Sequence, residues 1–271
     1  MTIQLEGFTC APFSALGAER DVYRRGEGPP VLVMHEIPGI TPEVARFARR
    51  VADAGFSVAM PVLFGTPGKD FSQAYALGQI ARACVSREFH VLARRGASPV
   101  TEWLRALCRQ LSEEGAAGDL CAPVGAIGMC LTGNFALALM VDDHLMAPVL
   151  SQPSLPFGVS ASHRAALHVS EEQLVRIKAR CAEGAKVLGM RFTADPLVPR
   201  ARFETLRREL GDGFEAIEID SGPGNAHGIP RAAHSVVTAD LVDEEGHPTR
   251  AALDRVIAFF SEQLRAGELR A

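Results

Sequence analysis

The stretch Val124-Gly-Ala-Ile-Gly-Met-Cys-Leu-Thr-Gly-Asn-Phe-Ala-Leu-Ala-Leu-Met140 decides how the rest of the chain is read. Val124–Gly128 is an apolar run of strand length. A tight turn centred on Cys130 follows, and beyond it the residues are small, apolar and suited to a helix. A strand that turns sharply into a helix lifts the residue at the turn above the C-terminal edge of a parallel sheet, which is the layout of a nucleophile elbow. Gly128 keeps a side chain out of the crowded turn. The helix N-terminus directs free N–H groups and the positive end of its dipole at any charge developing there, and the same placement favours thiolate over thiol. A free cysteine is ordinarily a small buried apolar residue. The register of strand, glycine and helix favours chemistry for this one.

Working outward, Val31–His35, Ser57–Met60, Ala147–Leu150 and Lys186–Thr193 are further short apolar runs, of the kind buried on both faces of a parallel sheet. Helical patterns lie between them. Val44, Phe47, Ala48 and Val51 repeat at helical spacing after Thr41-Pro42, a cap followed by proline at the first helical position. Leu104, Leu107, Cys108 and Leu111 repeat in the same way, and Leu253, Val256, Ile257, Phe260 and Leu264 make one apolar stripe near the end. Ser170 and Gln173 form a capping box for a helix reaching about Ala182. Strands alternating with helices predict an α/β fold, a mostly parallel central sheet with helices on both faces. No linker divides the chain, so residues 1–271 are expected to form one domain. Segments 65–100 and 151–169 break the alternation and are expected to be pocket-shaping insertions.

Composition narrows the function classes. The 271 residues are 47% hydrophobic and 22% charged, the balance of an ordinary globular chain. The net charge is −4 and no basic run exceeds two residues, so neither nucleic acid nor an anionic membrane surface is an expected partner. No apolar stretch approaches the ~20 residues that span a bilayer, and Met1 to Cys10 lacks a signal-peptide pattern. A cytoplasmic location is expected. Cys10, Cys84, Cys108, Cys121, Cys130 and Cys181 contain no Cys-x-x-Cys pair and read as free thiols. No histidine or cysteine spacing forms a ligand set, so no metal or organic cofactor is expected.

A nucleophile at such an elbow needs an acid and a histidine later in the chain, in that order. Asp195 leaves the strand Lys186–Thr193 in the turn Ala194-Asp-Pro-Leu-Val-Pro199, aimed at the edge where Cys130 sits. Its plainer role is that of a turn residue before proline. The strand Phe214 to Ile219 runs into Ser221-Gly-Pro-Gly-Asn-Ala-His-Gly228, a loop that would present His227. His234, seven residues later, competes for the role. The position of His227 directly after the strand puts it ahead. His90, His144, His163, His168 and His247 have no comparable context.

Four segments carry a family resemblance: His35-Glu-Ile-Pro-Gly39, Gly128-Met-Cys-Leu-Thr-Gly133, Ala194-Asp-Pro-Leu-Val-Pro199 and Ala226-His-Gly-Ile-Pro-Arg231. Singly they are only moderately specific, but in this order the chain resembles the dienelactone hydrolase family over most of its length. The resemblance implies an α/β-hydrolase fold and hydrolysis of a small ester or lactone by a Cys130–His227–Asp195 triad through an acyl-enzyme. It implies that Glu36 lies beside the nucleophile and accepts the thiol proton when substrate binds. It further implies an oxyanion hole from the backbone N–H groups of Ile37 and Leu131, and Arg231 as a ligand for a substrate carboxylate.

Some positions depart from the family pattern. Thr132 stands where glycine is usual, and either narrows the turn or adds a hydroxyl to the pocket. Pro38 stands where an aromatic residue is common. Arg82, Arg87, Arg94 and Arg95 all compete for a second carboxylate-binding arginine before the elbow. Thioester hydrolysis or acyl transfer by the same triad is an alternative. Another is a non-catalytic relative in which Cys130 senses oxidants. The oligomeric state has no signal in the sequence.

Overall fold

The apolar runs become the centre of an eight-stranded sheet. A computed structural model describes residues 3–86, 89, 98–116 and 121–265. The strands are β1 (Thr9–Ala15), β2 (Ala18–Arg25), β3 (Pro30–Met34), β4 (Ser57–Pro61), β5 (Val124–Met129), β6 (Leu145–Ser151), β7 (Val187–Phe192) and β8 (Phe214–Ile219), in the spatial order β1-β2-β4-β3-β5-β6-β7-β8. From β4 to β8 every pairing is parallel. The β1–β2 hairpin adds to β4 antiparallel. The sequence reading did not include this hairpin, for a physical reason. It is the sheet edge, and along Ala18–Arg25 only Val22 and Tyr23 are buried. A half-solvated edge strand carries no continuous apolar run.

Alternation along each central strand splits the core between the two faces. Leu32 and Met34 of β3 join Val124 and Ala126 of β5 on one side, while Val31 and Val33 join Ile127 and Met129 on the other. Helices α1 (Pro42–Asp53) and α8 (Pro248–Leu264) cover the second side. Helices α3 (Val100–Glu114), α4 (Phe135–Leu139), α6 (Glu171–Ala182) and α7 (Arg200–Leu210) cover the first. The helices of the first side include α7, unforeseen because Arg-Ala-Arg-Phe-Glu-Thr-Leu-Arg-Arg-Glu-Leu is mostly polar and buries only a narrow stripe. Two further helices, α2 (Gln73–Val85) and α5 (Ala161–Ala165), lie one in each expected insertion. Arg87, Arg94 and Arg95 lie outside the described residues.

Local chemistry fixes the helix ends. Thr41 Oγ1 accepts the N–H of Val44 at 3.4 Å, with Pro42 opening α1. At α6 the box is reciprocal: Gln173 N donates to Ser170 Oγ at 3.1 Å and Ser170 N donates to Gln173 Oε1 at 2.8 Å. On α8, Leu253, Val256, Phe259 and Phe260 are buried against the sheet, each worth about 1.5–3 kcal/mol relative to exposure. Among the described residues, no helix is long and apolar enough to cross a membrane.

Topology places the site. The strand order reverses at β3, which has β4 on one side and β5 on the other. Ligands of open parallel sheets bind beyond the carboxyl ends of the strands at such a reversal. Registers align those ends, with Met34 opposite Gly128, Met129 opposite Ser151 and Phe192 opposite Ile219. Glu36, Cys130, Gln152 and Asp195, each within three residues of its strand end, therefore share one edge.

Candidate active site

Cys130 has φ +54°, a left-handed conformation that costs a side-chain-bearing residue and persists only where its surroundings enforce it. Two glycines make the turn sterically possible. A Cβ at Gly128 would lie 2.1 Å from the Thr132 carbonyl oxygen, and one at Gly133 would lie 2.4 Å from the Pro153 Cα. After the turn the chain makes one 3₁₀ turn, Cys130–Thr132, before the short helix α4. The Thr132 side chain stays out of the pocket. Its fully buried hydroxyl accepts the N–H of Met129 at 2.9 Å and can donate to the Met34 carbonyl at 3.0 Å, tying the elbow to β3.

The Asp195 carboxylate makes two contacts. Its Oδ1 accepts the N–H of Leu197 at 2.9 Å and closes the turn before Pro199. Its Oδ2 lies 2.6 Å from Nδ1 of His234. A carboxylate there holds the proton on Nδ1 and leaves Nε2 as the basic atom. That Nε2 is buried and makes no fully formed hydrogen bond. The Cys130 sulfur is nonetheless near enough to act on it, by charge and by weak hydrogen bonding. Burial lowers the imidazole pKa, but Cys130 and Asp195 outweigh it and hold His234 well above the ordinary histidine value.

The structure corrects the choice of histidine. His234, not His227, meets Asp195. The segment after β8 folds back on itself through Asn225, whose Oδ1 accepts the N–H groups of His227 at 3.2 Å and Ile229 at 2.8 Å. Asn225 Nδ2 donates to Gly222 and Ile229 carbonyls. This closed loop leaves His227 exposed, its ring 5.2 Å from that of His247. His227 lines a cleft of about 480 Å³ between β8 and the start of α8, together with Asp220 and Pro248. The chain reaches the edge that carries Cys130 and Asp195 only after Ile229 and Ala233 return to the core. There Asp240 accepts the N–H groups of both His234 and Ser235 at 2.8 Å. The missed signal is the apolar pair Val236-Val237, two residues after His234, which marks re-entry into the core. Arg231 stands exposed between the two histidines.

Glu36 is 4% exposed and its carboxylate is fully engaged. Ser235 Oγ donates to Oε2 at 2.6 Å, Gln152 Nε2 donates to the same oxygen at 3.0 Å, and Thr238 donates to Oε1. Burial raises the Glu36 pKa, and these donors with His234 lower it without cancelling the rise. His35 beside it is neutral: burial holds its pKa down to about 4. Its Nε2 accepts the Leu63 N–H at 3.0 Å while Nδ1 donates to the Glu36 carbonyl at 3.1 Å.

Three residues here carried no sequence signal. Gln152, with φ +35° and fully buried, directly follows β6. Ser154 donates its N–H to the Cys130 carbonyl at 2.9 Å and its hydroxyl toward Cys130 Sγ at 3.6 Å. Arg202 is fully buried and donates to the carbonyls of Pro153, Pro156, His163 and Ala166, pinning the 151–169 insertion. Ile37, Phe64, Cys130 and Phe157 are half-buried at the margin of the same core cluster. Ile37 and Leu131 follow Glu36 and Cys130 directly, so their amides sit at the same strand ends. Among the described residues, no three His, Cys, Asp or Glu side chains group to hold a metal ion.

A model described as the dienelactone hydrolase family matches residues 16–264. Among solved structures, a candidate dienelactone hydrolase from Klebsiella pneumoniae subsp. pneumoniae has TM-score 0.63 and 18% identity, over 94% of this chain and 99% of that one. A dienelactone hydrolase-like promiscuous phosphotriesterase from metagenomic libraries gives 0.59 and 18%, over 94% and 98%. A dienelactone hydrolase from Anabaena variabilis gives 0.58 and 15%, over 95% and 98%. At these identities the likeness is one of fold, that of the α/β-hydrolases. No curated protein sequence matches the chain.

Proposed function

The chain belongs to the dienelactone hydrolase family, and on that premise we propose that it hydrolyses small carboxylic esters or lactones of the dienelactone type through Cys130, His234 and Asp195. The observation that carries this reading is the join of Asp195 Oδ2 to His234 Nδ1 at 2.6 Å, with Nε2 buried toward the cysteine of a strained elbow.

In this reading Nε2 of His234 takes the Cys130 proton and the sulfur attacks the substrate carbonyl carbon. The carbonyl oxygen becomes the tetrahedral oxyanion and accepts hydrogen bonds from the backbone N–H groups of Ile37 and Leu131. On collapse the C–O bond breaks, and His234 returns the proton to the leaving alkoxide. A water then gives its proton to His234 and attacks the thioester, releasing the acid and restoring the thiol. Asp195 fixes the tautomer throughout. The six free cysteines support placing this chemistry in a reducing, cytoplasmic compartment, carried by one domain. Arg231 lies four residues after His227, whereas Thr238 holds that place after His234, so we assign Arg231 to the carboxylate of an anionic substrate on its charge alone.

The test is p-nitrophenyl acetate hydrolysis with intact-mass analysis of acid-quenched protein. Wild type should turn over and accumulate one acetyl group on Cys130. A folded Cys130→Ala protein should lose turnover by several orders of magnitude and carry no acetyl group. Full activity in that variant overturns the reading.

A further inference from the structure

The Cys130 sulfur has a hydroxyl neighbour that the triad does not use. Ser154 is 1% exposed, and its Oγ lies 3.6 Å from Cys130 Sγ, a separation open to a hydrogen bond because sulfur is larger than oxygen. The backbone on either side is tied down. The Ser154 N–H donates to the Cys130 carbonyl at 2.9 Å. The carbonyl before it, of Pro153, accepts from Arg202 Nη1 at 2.6 Å, and the carbonyl after it, of Leu155, accepts from Nδ2 of the buried Asn134. Asn134 caps the short helix behind the elbow. Hydroxyl and sulfur are therefore held on one frame.

The hydroxyl has one proton and two acceptors within reach. The second is the Gln152 carbonyl, at 3.2 Å. A neutral thiol is a weak acceptor, so beside it the carbonyl takes the proton. A thiolate carries a full charge, and a charge-assisted hydrogen bond is roughly twice as strong as a neutral one. Turning the Cβ–Oγ bond then redirects the O–H from the carbonyl to the sulfur, with little movement of heavier atoms.

We propose that Ser154 is a catalytic hydroxyl of this site, a donor that engages the Cys130 sulfur while the sulfur carries negative charge. This rests on the triad reading above. In that cycle the charge appears twice. It appears when the thiol proton leaves, before attack on the carbonyl carbon. It returns in deacylation, when the tetrahedral intermediate collapses, the C–S bond breaks and its electron pair goes to sulfur. At both points Ser154 keeps its own proton and only lends it as a hydrogen bond; the proton that restores the thiol comes from His234. In the acyl-enzyme the sulfur belongs to a neutral thioester, and the hydroxyl goes back to Gln152. A donor that follows the charge stabilises the charged states over the neutral ones, which is the condition for a contact to speed a step.

The experiment compares wild type with Ser154→Ala, which keeps the backbone bonds and removes only the hydroxyl. Iodoacetamide labelling of Cys130 is followed against pH by peptide mapping, p-nitrophenyl acetate turnover by stopped flow, and folding by thermal melting. His234 also acts on the sulfur and is unchanged in the variant. A hydrogen bond to a charged group is worth about a ten- to hundredfold factor, and one this long belongs at the lower end. Ser154→Ala should therefore raise the labelling midpoint by about one pH unit. It should slow the steady phase after the burst, which reports deacylation, by about tenfold. Above both midpoints it should label at least as fast as wild type, because a thiolate without its donor is the better nucleophile.

Slower labelling at every pH with an unmoved midpoint would mean that Ser154 only keeps the elbow in shape, and overturns the proposal. A wild-type midpoint together with a wild-type steady phase overturns it equally. If Ser154→Ala melts too low to assay, Ser154→Gly removes the same hydroxyl and is read by the same midpoint. Wild type that labels at Cys130 but does not turn over the ester sinks the hydrolase reading, while the midpoint shift still decides the bond between hydroxyl and sulfur.

Discussion

His234 and Asp195 are 39 residues apart in the chain and 2.6 Å apart across the site, Nδ1 to Oδ2. Between them pass all of α7, β8 and the closed loop that carries His227. The two histidines are therefore distinguishable by experiment. His234→Ala should lose on the order of 10³-fold or more in kcat, and Asp195→Asn on the order of 10³–10⁴-fold through the wrong tautomer. His227→Ala should stay within about twofold of wild type, since an exposed side chain away from the pair changes little. Steady-state kinetics on one aryl ester checks all three, and an inactive His227→Ala beside an active His234→Ala would reverse the assignment.

The pH dependence of stability follows from the same histidine. Its pKa in the folded protein is raised, so folding is linked to holding its proton. That contribution is complete below the ordinary histidine value of about 6.5 and is lost as pH rises through the elevated folded value. The lost packing in His234→Ala is, by contrast, independent of pH. The melting-temperature gap between wild type and His234→Ala should accordingly narrow from about pH 6 toward alkaline pH. A gap that widens over that range would mean the histidine is not favoured in its charged form.

Thr132 predicts a stability effect that activity alone would not reveal. Thr132→Val keeps the shape but leaves the buried Met129 N–H without its acceptor, which costs about 1–3 kcal/mol. Gly128→Ala should cost a similar 1–3 kcal/mol or more, because the new methyl group meets a backbone carbonyl that has no rotamer to yield. Urea unfolding measures both. A neutral Thr132→Val would show that the hydroxyl does not staple the elbow to β3.

Arg231 is exposed, which limits what it contributes to binding. An exposed ion pair is worth about 0.2–1 kcal/mol, so Arg231→Ala should raise KM for an anionic lactone by roughly two- to fivefold and leave neutral esters unaltered. Adding salt should shrink the difference. Equal losses on both substrate classes would assign Arg231 to supporting the His234 segment.

The parts of the molecule that were legible in the sequence share a property: they announce themselves locally. Val31–His35 and Lys186–Thr193 are apolar on both faces, the Ser170–Gln173 box is a pair of bonds within one turn, and Gly128 marks a turn that admits no Cβ. What escaped depends on distant parts of the chain. The β1–β2 edge and α7 bury too little to print a pattern. The reading of His227 followed proximity to the strand, but Asn225 closes that loop on itself before the chain reaches the sheet edge. Gln152 is a polar residue at a strand end whose partners, Glu36 and Val236, are 116 and 84 residues away.

The buried Arg202 has a consequence for how this pocket can change. It grips the 151–169 insertion through four main-chain carbonyls and no side chain, and burial takes its pKa down to about 10. A grip on the main chain is indifferent to which side chains the insertion displays. The segment's side chains can be rewritten residue by residue while its anchorage persists, so what it displays and how it is held vary separately. Change Arg202 instead, and every version of the segment loses its hold at once.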